Sequence, residues 1–284
     1  MSNLFNEANS VRDFVRDQSL KSGWRFIEGV NLDRQKSDAL IENSFRRALI
    51  LLNPTIAEKP ERADEVLHAL RALIFASRNG SLLASNEEFA SWLKAEKSLP
   101  FGVNGEHVTI HLIDFTNALN NELIVSTEVS FERGQVGRRF DLVFWVNGMP
   151  LVIGEAKSPV RPAYTWVDAA SQIHDDYEKN TPEFFVPNVF SFATEGKELR
   201  YGSIGMPIDL WGPWRLEKYG SRTVGLQMVQ EAIHELLTFE LVSDISRFFT
   251  AFATDSKHRK IKVIARYQQY LGASAIVDRV KKGL

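Results

Sequence analysis

Three ionisable residues stand where buried strands would be expected: Asp141 near the start of the run FDLVFWV, and Glu155 and Lys157 at the end of PLVIGEAK, the two runs being joined through Asn147-Gly148. An ionised group taken out of water without a partner is strongly destabilising, so three in one hairpin need a reason. Two carboxylates a few ångströms apart repel each other, but they become favourable ligands when a hard divalent cation lies between them. Mg²⁺ typically takes one or two carboxylates together with waters and phosphate oxygens. Such a cation lowers the pKa of a bound water and neutralises charge on a phosphodiester. Lys157, compact and positive, could orient the attacking water or stabilise the developing phosphorane. The chemistry suggested is metal-dependent phosphodiester hydrolysis, with Asp141 and Glu155 as metal ligands. The bland counterpart is an exposed strand end carrying a cross-strand ion pair, and Glu-x-Lys alone is too common a tripeptide to decide between them.

Geometry sharpens the question. Along a strand, Glu155 and Lys157 share one face while Gly154 and Ala156 look the other way. Asp141 joins them only if it opposes an odd-numbered residue of the second strand. A two-residue loop at Asn147-Gly148 opposes Asp141 with Gly154 and turns it away. A three-residue turn ending in Gly148, or one bulge, brings all three together.

The elements that must position this hairpin follow from periodicity. Residues 37–52, SDALIENSFRRALILL, place Leu40, Ile41, Phe45, Ala48, Leu49 and Leu52 near one helical face, with Ser37 as a cap and Asn53-Pro54 as the stop. Two further helices are predicted at about 61–78 and 86–98, so the first hundred residues are mainly helical. From residue 107 the pattern changes to short runs rich in Val, Ile and Phe: HVTIHLIDF, ELIVSTEVSF, RFDLVFWV and PLVIGEAK. A helix at 165–180 follows, then two strands about the Glu-Gly turn of NVFSFATEGKELRYGSI, a turn-rich connector WGPWRLEKYGS, and amphipathic helical stretches at 224–253 and 261–281. The predicted fold is α/β: a mixed sheet flanked by helices, with a helical amino-terminal portion (1–100), a core (101–220) and a helical carboxy-terminal connector (221–284).

Composition narrows the class. With 44% hydrophobic and 25% charged residues the 284-residue chain is ordinary globular material, and it has no cysteine, which excludes disulfides and thiolate chemistry. No apolar run is long enough to span a bilayer, and the polar start MSNLFNEANSVRDF is no signal peptide, so a soluble, cytoplasmic protein is expected, with no membrane partner. A net charge of -2 gives no global field for nucleic acid, leaving local patches. The candidates are Arg133, Arg138 and Arg139 before the hairpin, and Lys257, Arg259, Lys260 and Lys262 near the end, the latter read first as a solvated face.

The arrangement of Asp141 followed by Glu155-Ala156-Lys157 resembles the PD-(D/E)xK nuclease superfamily, with Phe140 in place of the Pro. More narrowly, RRFDLVFWVNGMPLVIGEAKSP is similar to the amino-terminal nuclease domain of the restriction (motor, R) subunit of type I restriction enzymes. The likeness continues upstream in LIDFTNALNNELIVSTEVSF and downstream in PNVFSFATEGKELRYGS and WGPW. It implies an endonuclease module that cuts double-stranded DNA with Mg²⁺, working with methylation (M) and specificity (S) subunits and with an ATP-driven motor. It implies a further acid from a preceding helix, for which Glu42 is the nearest candidate, and a Gln-x-x-x-Tyr pair in the helix after the Lys strand. The match here, Gln172 and Tyr177, is five residues apart, which on a regular helix turns them about 140° from each other. Tyr177 then lines up with Ile173 as core. The tail KVIARYQQYLGASAIVDRVKKGL resembles the helix before the first ATP-binding motif, with Gln269 as the adenine-reading residue. No G-x-x-x-x-G-K-[ST] occurs, so the chain is expected to be the front end of a longer polypeptide, with ATP used by the absent motor. Two other readings remain open: a standalone repair-type or mobile-element nuclease with the same core, and an inactive DNA-holding or docking module.

Overall fold

In the computed structural model, residues 9–158, 165–214 and 225–283 are described. The chain opens with helix α1 (Asn9–Leu20) and a two-residue strand β1 (Arg25–Phe26), and then runs through four helices, α2 (Glu42–Leu52), α3 (Pro54–Glu58), α4 (Arg62–Ala76) and α5 (Leu82–Leu93). A small pair of strands, β2 (Ser98–Leu99) and β3 (Val108–Thr109), leads to the long strands β4 (Leu123–Arg133), β5 (Val136–Val146) and β6 (Met149–Ala156). After α6 (Trp166–Ser171), a π-helical turn (Gln172–Tyr177), α7 (Glu178–Asn180) and α8 (Pro182–Phe185), the chain adds β7 (Phe190–Thr194), β8 (Leu199–Gly202) and β9 (Gly212–Pro213). Helices α9 (Leu226–Leu236) and α10 (Phe239–Phe248), the hairpin β10 (Thr250–Thr254) with β11 (Lys260–Ile264), and α11 (Tyr267–Lys281) complete it. The described residues of the central sheet form seven strands in the order β1-β4-β5-β6-β7-β8-β9, mixed because β1/β4 and β6/β7 are parallel and the other neighbours antiparallel. The α/β architecture expected from the pattern is the one observed.

β6 is buried at every position, Glu155 included, and its apolar run Met149–Ile153 is that of a central strand. Its connection to β5 is a two-residue turn in which Asn147 and Gly148 have φ of 51° and 77°, the left-handed pair that a tight hairpin needs. A Cβ on Gly148 would lie 2.3 Å from the Ile41 carbonyl oxygen, so this position has room for hydrogen only. The turn is locked from both sides. Ile41 N–H donates to the Gly148 carbonyl (2.9 Å), and the Asn147 side chain donates to Leu112 O (2.9 Å) and accepts from Glu122 N–H (2.8 Å).

Several sequence expectations change. Helix α2 begins at Glu42 with Ile41 as its cap residue, not at Ser37, because the Ile41 amide is already committed to the hairpin turn. The expected strand at 107–115 shrinks to Val108–Thr109, since the His111 and Asp114 amides go to the side chains of Asn53 (2.8 Å) and Asn121 (2.9 Å) instead of a neighbouring strand. The expected helix at 86–98 starts earlier, at Leu82, where the Ser81 hydroxyl accepts from Ala84 N–H (3.2 Å). The stretch 224–253 breaks at Thr238, which caps α10 in the same way, and its end, with 260–264, leaves the helix to form β10 and β11. Part of the connector at 211–221 lies outside the described residues. One continuous apolar core joins Val15, Phe45 and Phe89 from the amino-terminal helices to the sheet residues Phe140, Val152 and Phe192 and to Val229 and Ile245 from α9 and α10.

Candidate active site

The hairpin register decides where Asp141 points. Val146 pairs with Met149 and Trp145 with Pro150, but Phe144 pairs with Val152, so Leu151 is an extra residue and β6 bulges by one. Pro150 stands beside the bulge, where a residue without an N–H does least harm to the ladder. Leu142 therefore opposes Gly154, and the register carries Asp141 to Glu155. The tight turn alone would have sent Asp141 to the wrong partner, and the bulge corrects it. Opposite Gly154 there is space only for the Phe192 ring, since an added Cβ would come within 2.2 Å of it.

Beyond Gly154 the side chain of Asp141 takes over from the backbone ladder. Its Oδ2 accepts from Ala156 N–H (3.1 Å), while Lys157 Nζ donates to Glu155 Oε1 (2.8 Å). Glu155 is 2% exposed. Burial, and then the charge of Asp141, push its pKa up to about 8 against the opposing pull of Lys157. Asp141 is raised as well, by burial first, with the Ala156 N–H and the charges of Lys157 and Arg12 acting the other way. A buried and a partly buried carboxylate thus compete for too little positive charge.

A second layer holds Lys157. Its ammonium also donates to Gln172 Oε1, and the Gln172 amide donates to the Tyr177 hydroxyl. Tyr177 OH donates to the Arg139 carbonyl (2.9 Å) and stands 3.3 Å from Glu155 Oε2. This corrects the regular-helix expectation for Gln172 and Tyr177. The segment Gln172–Tyr177 is a π-turn, with Glu178 N–H bonded to the Ile173 carbonyl, and widening the coil brings residues five apart onto one side. Tyr177 is buried, as expected of a core residue, yet its hydroxyl faces the site. If this site cleaves DNA, Gln172→Ala is expected to slow cleavage about tenfold while thermal unfolding changes little, because it removes one of the two acceptors that hold Lys157 without exposing core; steady-state cleavage beside a melting curve checks both.

A family model, the type I restriction enzyme R protein N terminus, matches residues 4–205. The chain belongs to this family. It is 26% identical over 289 residues to the type I restriction enzyme HindI endonuclease subunit of Haemophilus influenzae, covering 97% of this chain and 27% of that protein. It is 27% identical over 286 residues to the putative type I restriction enzyme MjaIXP endonuclease subunit of Methanocaldococcus jannaschii, covering 94% of this chain and 26% of that one. The chain therefore spans about a quarter of the length of these relatives.

Within this R-protein amino-terminal region, the other predicted residues are engaged outside the cluster or, like Arg139, flank it. Glu42 is not brought to Asp141: its carboxylate is engaged by Arg71, and α2 abuts the Asn147-Gly148 turn, at the far end of the strands. Arg133 pairs with Glu183 (3.3 Å) and Arg138 with Asp176 (2.7 Å), while Arg139, the nearest in sequence to Asp141, pairs with Glu128 (3.2 Å). Lys262 is not part of a solvated face. It is 4% exposed, donates to Asn188 O (2.7 Å), and burial lowers its pKa. Gln269 accepts from Arg266 N–H (2.8 Å) at the start of α11 and borders a cavity of about 510 Å³ with Arg266 and Tyr201. Sequence reading missed Arg12 and Glu128, which flank Asp141 from α1 and β4; nothing in their spacing marks them.

Among the described residues no group of three or more His, Asp or Glu side chains forms a ready metal cage. The residues present do fit Mg²⁺, which needs only one or two carboxylates when waters and phosphate oxygens complete its shell. Burial raises the pKa of both Asp141 and Glu155, and the Asp141 charge adds to the rise at Glu155, a cost that a cation held by the two would relieve.

Proposed function

We propose that the chain is the endonuclease module of a type I restriction enzyme R subunit, hydrolysing phosphodiester bonds of double-stranded DNA with Mg²⁺ on a PD-(D/E)xK-type core. The observation that carries this is the convergence of Asp141, midway along β5, with Glu155 and Lys157 at the end of the adjoining buried strand β6. Asp141 and Glu155 would hold the cation, which would supply charge neutralisation at the phosphate and a water of lowered pKa.

The protein's own groups do the rest. Asp141, fixed by the Ala156 amide, and Glu155, fixed by Lys157 with the Tyr177 hydroxyl nearby, present their oxygens in a preset geometry. Gln172 aims the Lys157 ammonium, which orients the attacking water or stabilises charge on a non-bridging phosphate oxygen. Translocation with ATP, the adenine role of Gln269, the M and S partners and a cytoplasmic location belong to this same reading. The test is cleavage of duplex DNA by the complete enzyme carrying Asp141→Ala, Glu155→Gln or Lys157→Ala, and a folded variant that still cuts at the wild-type rate would sink it.

A further inference from the structure

Beside Asp141 lies a constellation that the two-carboxylate site does not use. In the ladder between β4 and β5, Thr127 pairs with Leu142 and Val129 with Phe140, which leaves Glu128 and Asp141 opposed but unpaired. Glu128 has φ of 55° in the middle of a strand, an unfavourable conformation for a residue that carries a Cβ. The kink is held by the loop at Gly29, where an added Cβ would stand 2.7 Å from the Glu128 carbonyl oxygen. The effect is to lift the Glu128 side chain, 45% exposed, out of the sheet beside the site. There its Oε1 receives two guanidinium groups at once: Arg12 Nη1 from α1 at 2.8 Å and Arg139 Nη1 from β5 at 3.2 Å.

Two guanidinium groups converging on one carboxylate oxygen are arranged as they would be around a phosphate oxygen. Arg12 has donors to spare. Its side chain is only 11% exposed, and its Nε is buried without a hydrogen bond among the described residues, Asp13 Oδ1 being 3.6 Å away. Both arginines meet Glu128, which lies opposite Asp141 in the ladder, so the pair stands next to the candidate site, and both charges act on Asp141. An ordinary surface ion pair would not need a left-handed residue to build it, nor a second, largely buried arginine from another element.

We propose that Arg12 and Arg139 form a phosphate-binding pair beside Asp141, taking a backbone phosphate of the DNA strand, and that Glu128 is the internal competitor the phosphate displaces. The identity of the ligand rests on the DNA-hydrolysis reading, but the test does not depend on hydrolysis. Glu128 is then a positioning residue: it pre-orients both arginines and sets a threshold that only an anion with more than one acceptor oxygen passes.

The experiment is fluorescence anisotropy of a labelled short duplex titrated with the 284-residue chain in EDTA at several salt concentrations, with circular dichroism to confirm folding. Arg12→Ala should weaken binding about tenfold and lower the salt slope by about one, whereas Arg16→Ala on the same helix should change neither. Glu128→Gln should tighten binding several-fold, as should Glu128→Gly, which also relieves the left-handed strain; Glu132→Gln, the same charge change farther along β4, should not. The gain should vanish when Arg12 and Arg139 are both alanine. The proposal is overturned if Glu128→Gln leaves binding unchanged or weaker, if Arg12→Ala behaves like Arg16→Ala, or if the chain does not bind the duplex at low salt. Because the duplex stays uncut in EDTA, a Glu155→Gln enzyme that still cleaves would overturn the nuclease site and leave this result standing.

Discussion

Glu155→Gln is expected to slow DNA cleavage by about a thousandfold or more in an enzyme that remains folded. The substitution keeps size and hydrogen-bonding capacity, so Lys157 retains an acceptor and the buried strand stays filled. What is lost is the second negative charge of the Asp141–Glu155 couple, on which a hard cation depends. Asp141→Ala should be as damaging, since it also orphans the Ala156 amide, its partner at 3.1 Å. Lys157→Ala should cost about a hundredfold to a thousandfold, the range for deleting one preorganised group that meets transition-state charge. Single-turnover cleavage separates these losses from effects on DNA binding.

The same substitution is expected to make the protein more stable at alkaline pH. Glu155 titrates at about 8 in the folded chain, against roughly 4.3 for an unperturbed Glu. The folded state therefore holds this proton more tightly than the unfolded state does. Stability from this group is fully present below the unfolded pKa, declines as pH rises between the two values, and is at its minimum above the folded one. Gln, which carries no charge to desolvate, removes that slope. At pH 8.5 in chelator, Glu155→Gln should unfold higher than the unsubstituted chain by about 3–8 °C, from a gain of about 1–3 kcal/mol, and at pH 4 the difference should close. A variant that melts below the parent at pH 8.5 would mean that the carboxylate is stabilised in place and that the strain inferred here does not exist.

How much of this was legible in the sequence depends on the range of the interaction that decides each feature. The hairpin itself was readable, because Asn147-Gly148 and the flanking apolar runs are local signals, and parity arithmetic reduced the fate of Asp141 to a choice between turn types and a bulge. Pro150 carried a further signal that the sequence reading passed over, since a proline within a central strand needs an irregularity to sit in. Gln172 and Tyr177 were misread for a specific reason: the calculation assumed 3.6 residues per turn, and tertiary hydrogen bonds to Lys157 and Arg139 accompany one wider turn. Lys262 looked solvated by its neighbours Arg259 and Lys260, yet β11 buries it against Asn188, a contact that no window of sequence contains. Arg12 and Glu128 meet across more than a hundred residues of chain, and only the fold reveals them.

The most direct test is whether the two carboxylates hold one cation. Crystals of the chain soaked in Mn²⁺, with diffraction recorded at the metal's absorption edge, should show a single strong anomalous peak between Asp141 and Glu155, with carboxylate oxygens at about 2.0–2.3 Å, and this peak should vanish in Asp141→Ala. No peak there at saturating Mn²⁺, or a peak that survives the loss of Asp141, would contradict the account.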